Sequence, residues 1–200
     1  MCRLVLDIKG IKLMATAPNT KNVATLEDLA QVKVKAELVD GEILVMSPAG
    51  YEHGRLARII FMSMVRWWED SGCPGEPFAD NVGFLCRLPR RQSFSPDVSF
   101  YTGRLPENRD DFLPEPPVFA VEIRSKDDHG IQAEARLKAK RDDYFQAGTK
   151  GVWDVDMTSE TPVRLYLAEQ NEDGIGFHRG EQAHAEPYLP GWRLNIQALQ

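Results

Sequence analysis

Glu122 stands in an otherwise apolar run, VFAVEI, which reaches from Val118 to Ile123. An ionised carboxylate buried alone there costs several kcal/mol, so it needs a cation or a proton beside it. A purely structural partner, Arg124 or Arg87, would meet that need. A second acid, Asp97, follows Pro96 at the head of DVSFY, a common way into a strand. A third, Glu37, lies on the arm AELV, where an edge strand would ordinarily leave it solvated. Lys140 falls three residues from Leu137 and four from Tyr144, on one helical face. Its stem could snorkel along apolar surface, or its ammonium could point at the sheet acids. Lys138, which shares a face with Phe145, is the fallback. Two or three carboxylates brought together can hold a hard divalent cation such as Mg2+, with Mn2+ as a substitute. Such an ion activates water, and with the lysine it stabilises charge developing on a phosphodiester.

Those residues need a scaffold, and the periodicities supply one. Thr25 with Asp28 resembles a capping box ahead of the short helix LEDLA. KAELVDGEILVM reads as a hairpin, since Asp40-Gly41 suits the positive φ angles of a type I′ turn. A helix is expected from about Tyr51 to Asp70, with the stripe Leu56, Ile59, Ile60, Met64, Trp67, Trp68 facing a core. Arg55, Arg58 and Arg66 fall off that stripe and should be solvated, and SGCPGEP breaks the helix. Strands are expected at NVGFLCRL, DVSFY and VFAVEI, then a helix from about His129 to Ala147, closed by Gly148. GVWDVDM is a further strand, and PVRLYLAE with GIGFHRG forms a terminal antiparallel pair. The order predicts an α/β fold, a mixed β-sheet flanked by helices, with an N-terminal helix and β-hairpin. Residues 1–24 read as a tail, within which Met14 is a second candidate start. Residues 25–200 read as a single domain.

Composition narrows the classes. Of 200 residues, 24 are Lys or Arg and 30 are Asp or Glu, a net charge of -6. That disfavours coating nucleic acid through bulk positive charge, but it leaves room for acids that a metal would offset. Cys2, Cys73 and Cys86 form no C-x-x-C pair and suit free thiols in a reducing compartment, so a cytoplasmic location is expected. The four histidines show no tight ligand spacing, which argues against zinc. No run approaches the ~20 apolar residues of a membrane span.

SPDVSF, followed after a gap by VEIRS, resembles the P-D…(D/E)-x-K motif of the PD-(D/E)XK nuclease superfamily. ELVDGEILVMSPAGYEHGRL, SPDVSFY, VFAVEIRS, KRDDYFQAG and VWDVD together resemble the Uma-type restriction endonuclease family, from about Leu26 to near the C-terminus. The resemblance implies a restriction-endonuclease-like core and Mg2+-dependent cleavage of DNA. It implies Asp97 and Glu122 as metal-binding acids, Glu37 as a further ligand and Lys140 as a catalytic lysine displaced from strand to helix. His53, after the S-P-x-G turn, becomes an accessory residue, although a surface histidine at a helix N-terminus fits as well. Three positions depart from the pattern. Arg124 replaces the strand lysine and cannot serve as a base, though it could bind phosphate. Lys126 replaces a proline, and Asp154 takes an inner-strand position usually filled by an apolar residue.

Arg87, Arg90 and Arg91 lie just upstream of Asp97, where they could contact DNA phosphates or simply be solvated. A homodimer is the simplest way to cut both strands of a duplex. A catalytically silent DNA-binding or scaffold protein on the same fold is the alternative. A carboxylate-pair glycosidase ranks last, because Trp67 and Trp68 read as core and Lys140 has no role in it.

Overall fold

Short-range sequence rules set most of the boundaries in the computed structural model, which describes residues 23–170 and 173–200. The expected tail, with Cys2 and Met14, lies outside them apart from Val23 and Ala24. Thr25 opens α1 (Leu26–Ala30) with both halves of a capping box. The Asp28 N–H donates to its hydroxyl, and the Asp28 carboxylate accepts from its N–H. β1 (Ala36–Val39) and β2 (Glu42–Val45) form the expected hairpin, with Asp40 and Gly41 at φ 51° and 73°. α2 (Tyr51–Ser71) buries Leu56, Ile60 and Met64, while Ile59, Trp67 and Trp68 pack around them. Arg58 and Arg66 are exposed as expected. Arg55 is not free in solvent: it bridges Glu52 and the Leu199 carbonyl, each at 2.6 Å.

The helix-breaking run leads at once into β3 (Glu76–Ala79), which the sequence reading missed. The expected strand NVGFLCRL shrinks to β4 (Phe84–Leu85), which pairs with β5 (Ser93–Phe94) apart from the main sheet. β6 (Val98–Tyr101), β7 (Phe119–Ile123), α3 (Ile131–Ala147) and β8 (Gly151–Val155) follow close to expectation. β9 (Val163–Leu167) and β10 (Ile175–Phe177) form the antiparallel pair, but they are not terminal. A second hairpin, β11 (Gln182–Ala185) with β12 (Leu189–Asn195), and a 3-10 turn at Ile196–Leu199 come after them.

The six-stranded sheet runs β10-β9-β8-β7-β6-β3. β7 and β8 are parallel, joined across α3, and the other neighbours are antiparallel. Strand alternation then sorts residues onto two faces. Val98, Phe100, Phe119, Val121, Ile123, Trp153 and Val155 face α2 and β12, where Trp153 stacks on Trp192 at 4.4 Å. Tyr101, Ala120 and Val152 face the other way, with Tyr144 of α3 and with Phe84 and Phe94 of the small pair. No helix among the described residues is long and apolar enough to cross a membrane.

Candidate active site

Asp97 and Glu122 owe their meeting to sheet parity. They belong to the α3 face, as do Ser99, Ala120 and Asp154. Val98 pairs with Val121, so one further step of that register sets Asp97 opposite Glu122. The Asp97 N–H donates to the Val121 carbonyl at 3.1 Å, and the Ile123 N–H donates to Asp97 Oδ2 at 2.8 Å. On the other side, Glu122 pairs in register with Asp154.

α3 lies over this row. Lys140 Nζ sits 2.9 Å from Glu122 Oε2 and 3.0 Å from Glu37 Oε1. Tyr144, one turn on, donates its hydroxyl to Glu122 Oε1 at 2.7 Å. The structural partner of Glu122 is therefore Lys140 with Tyr144, not Arg124 or Arg87. Glu37 is not solvated: it is 3% exposed, because β1 docks on the strand-like segment beside β5. The Gln92 N–H donates to the Leu38 carbonyl at 2.9 Å, and the Leu38 N–H to Ser93 Oγ at 2.8 Å. That docking also gives Glu37 the Ser95 N–H, at 2.9 Å from Oε1.

Arg91 corrects an expectation. It is 5% exposed and donates to Glu37 and, at 2.8 Å, to Asp143 of α3. A guanidinium spent on two buried acids is not available to a DNA phosphate. Arg87 and Arg90 remain exposed. Arg124 is likewise engaged, gripping Asp154 at 2.7 and 2.8 Å and also reaching Glu134. Among the described residues its partners are Asp154, Glu134, Asp156 and the Asp128 carbonyl rather than the site acids. Lys138, the fallback lysine, pairs with Asp142 on the outer side of α3. His53 does join the site, its Nε2 3.2 Å from Asp97 Oδ2. Lys35 was not singled out from sequence, yet its ammonium lies 2.6 Å from Asp97 Oδ1 and 2.5 Å from Asp80. Nothing in its local pattern separates it from the neighbouring surface lysine.

The charges tune one another. Burial pushes the Glu122 carboxyl up, and Asp97 and Glu37 add to that, while Lys140 and the Tyr144 hydroxyl only partly offset it. Burial also works against the Asp97 charge, but His53 and Lys35 outweigh it and hold the carboxyl below its usual range. Glu37 is lowered too, since Lys140 and Arg91 overcome its burial. Lys140 feels burial, but Glu122 and Glu37 keep its ammonium protonated beyond the ordinary lysine range. It can stabilise negative charge and is a poor base. Burial raises the Tyr144 hydroxyl, which stays a donor.

Glu37, Asp97 and Glu122 offer only oxygen donors, the chemistry that suits a hard divalent cation. Among the described residues no three His, Cys, Asp or Glu side chains form a ready cage for one. Lys140 and Lys35 hold the positive charge beside these acids. The donor chemistry alone suits such an ion. The site lies apart from a groove of about 640 Å³ between α2 and β12, lined by Trp67, Pro190 and Arg193 among others, which none of these acids reaches.

A mixed sheet with this helix order, and with acids on two adjacent central strands, is a restriction-endonuclease-like α/β fold. A crystal structure of a putative nuclease belonging to DUF820, from Anabaena variabilis ATCC 29413, superposes with a TM-score of 0.69. The match covers 88% of this chain and 96% of that one at 16% identity, a likeness of fold. The family model of Uma2, putative restriction endonuclease, matches residues 23–197, and the chain belongs to that family. No curated protein matches.

Proposed function

We propose that this protein is a Mg2+-dependent DNA endonuclease, with Mn2+ able to substitute. The observation that carries this reading is the convergence of Glu37, Asp97, Glu122 and Lys140 from four separate segments in a member of a restriction endonuclease family. Glu37, Asp97 and Glu122 would hold the ion, which supplies Lewis acidity and a water acidic enough to attack at neutral pH. Lys140 places a fixed positive charge where a phosphate oxygen gains negative charge. Tyr144 fixes one oxygen of Glu122, and His53 with the Ile123 N–H fixes one oxygen of Asp97. Arg87 and Arg90 would contact backbone phosphates. The reading includes a homodimer that cuts both strands and a cytoplasmic setting, which suits the free thiols of Cys73 and Cys86.

One observation favours the second reading, a catalytically silent DNA-binding or scaffold protein. Every oxygen of the three acids already has a protein partner. Incubation of the purified protein with plasmid and oligonucleotide DNA in Mg2+, Mn2+ or EDTA separates the two. The nuclease reading expects cleavage that EDTA abolishes and that Asp97→Ala, Glu122→Ala and Lys140→Ala each remove. Cleavage surviving EDTA or these substitutions refutes the site. No cleavage of any substrate with metal present selects the silent protein.

A further inference from the structure

The oxygens of the three site acids fall into two groups. Four are held by parts of the fold. Asp97 Oδ2 takes the Ile123 N–H and His53, Glu37 Oε1 the Ser95 N–H, Glu37 Oε2 the Arg91 guanidinium and Glu122 Oε1 the Tyr144 hydroxyl. The other two are held by lysine ammonium groups alone, Asp97 Oδ1 by Lys35 and Glu122 Oε2 by Lys140, which also reaches Glu37 Oε1. Lysine is a point charge on a flexible stem, so Asp97 Oδ1 can change partner without disturbing the Ile123 N–H and His53 contacts that position the acid.

The two lysines are anchored differently. Lys140 sits in the middle of α3 and bridges buried Glu37 and half-buried Glu122. Lys35 sits in the bend before β1, and its ammonium has a second partner, Asp80, in the turn after β3. The Asp80 side chain is 45% exposed, so it offers the ammonium a resting place at the rim.

We propose that Lys35 is an exchangeable counter-ion for the metal position. It neutralises Asp97 Oδ1 when no divalent ion is bound, and it yields that oxygen while staying docked on Asp80. The inference rests on the metal-binding reading above. Without such a counter-ion, Asp97 Oδ1 would have no partner in a buried acid that stands opposite Glu122, a costly arrangement. With Asp80 as a second station, exchange moves one ammonium by a short distance and does not expel it.

Calorimetric titration of the full chain with Mn2+ alone, without DNA, tests this. Lys35→Gln removes the competitor and should bind Mn2+ about tenfold more tightly, a modest share of the interaction between unit charges this close. Lys35→Arg, which keeps the charge, should stay near the wild-type affinity. Asp80→Asn removes the resting place and should weaken binding severalfold. In the double variant Lys35→Gln/Asp80→Asn, the Asp80 effect should shrink toward nothing. Two independent surface charges would instead give additive effects, and that result overturns the exchange. Equal affinity in wild type and Lys35→Gln, or in wild type and Asp80→Asn, also overturns it and leaves the metal reading intact. Absence of Mn2+ binding in every form, including wild type, removes the metal reading and the exchange together. Thermal melts check folding, and Lys35→Gln should gain more Tm from saturating Mn2+ than wild type gains.

Discussion

Glu122 and Asp154 stand opposite each other on the parallel strands β7 and β8, yet each acid has its own cation. Lys140 lies 2.9 Å from Glu122, and Arg124 grips Asp154 from 2.7 Å. The arginine that replaces the strand lysine thus explains the acid that replaces an apolar residue: they are one another's partner. Asp154→Ala would leave a largely buried guanidinium with Glu134, the more distant Asp156 and the Asp128 carbonyl. The expected loss is about 2–3 kcal/mol, at the low end for breaking a buried pair. Urea unfolding measures it, and a loss well under 1 kcal/mol would contradict the pairing.

Tyr144→Phe keeps the ring, which stacks on Phe94 at 4.1 Å, and deletes the hydroxyl that serves Glu122. An unsatisfied buried carboxylate oxygen costs about 1–3 kcal/mol. Stability should fall by that much and DNA cleavage should slow, while affinity for the duplex stays unchanged. Binding and cleavage assays on the same preparation distinguish this from general unfolding.

Arg91→Ala removes the guanidinium shared by two buried acids, leaving Glu37 with Lys140 and the Ser95 N–H, and Asp143 with the more distant Arg90. The expected cost is about 3–5 kcal/mol, large enough to lower Tm by many degrees or prevent folding. Its neighbour behaves differently. Arg90 is half exposed, with only long 3.7 Å contacts to Asp40 and Asp143, and Arg90→Ala should cost much less in the same melt, about 1 kcal/mol or under.

Arg87→Ala with Arg90→Ala should instead change DNA affinity. If both touch phosphates, the slope of log K against log salt becomes shallower by about 1–2. An unchanged slope would return both residues to the solvated surface.

His129 offers a pH measurement away from the acids. Its Nε2 lies 3.3 Å from Asp156 Oδ1, and that bond, with help from the Lys126 carbonyl, raises the imidazole above its ordinary value. The raised group favours the folded state below the unfolded histidine value of about 6.5, and that contribution fades as pH climbs through the folded value. NMR titration should show His129 shifted upward in wild type and back near its ordinary value in Asp156→Asn.

Much of the scaffold was legible because its signals are local. Asp40-Gly41 fixed the hairpin, the stripe from Leu56 to Trp68 fixed α2, and the apolar strands around Asp97 and Glu122 fixed the sheet centre. β3 was missed because Pro77 reads as a breaker, and an edge strand is where a missing N–H is tolerated. β12 hid behind Pro190 and Gly191 for a similar reason. Lys35, Asp143 and the burial of Arg91 escaped notice because ion pairing between distant segments leaves no periodic trace. Tyr144 had been placed on the right helical face, but only as packing.

The alternation that separates the two faces of β7 has a consequence for errors. A slip of one residue against β6 would turn Glu122 toward Trp153 and present Val121 to Lys140. Such a chain would lose its oil layer and its charged layer in a single step. Proofreading of the site is thus built into the register: no mispaired copy of this strand can keep its chemistry while forfeiting its core.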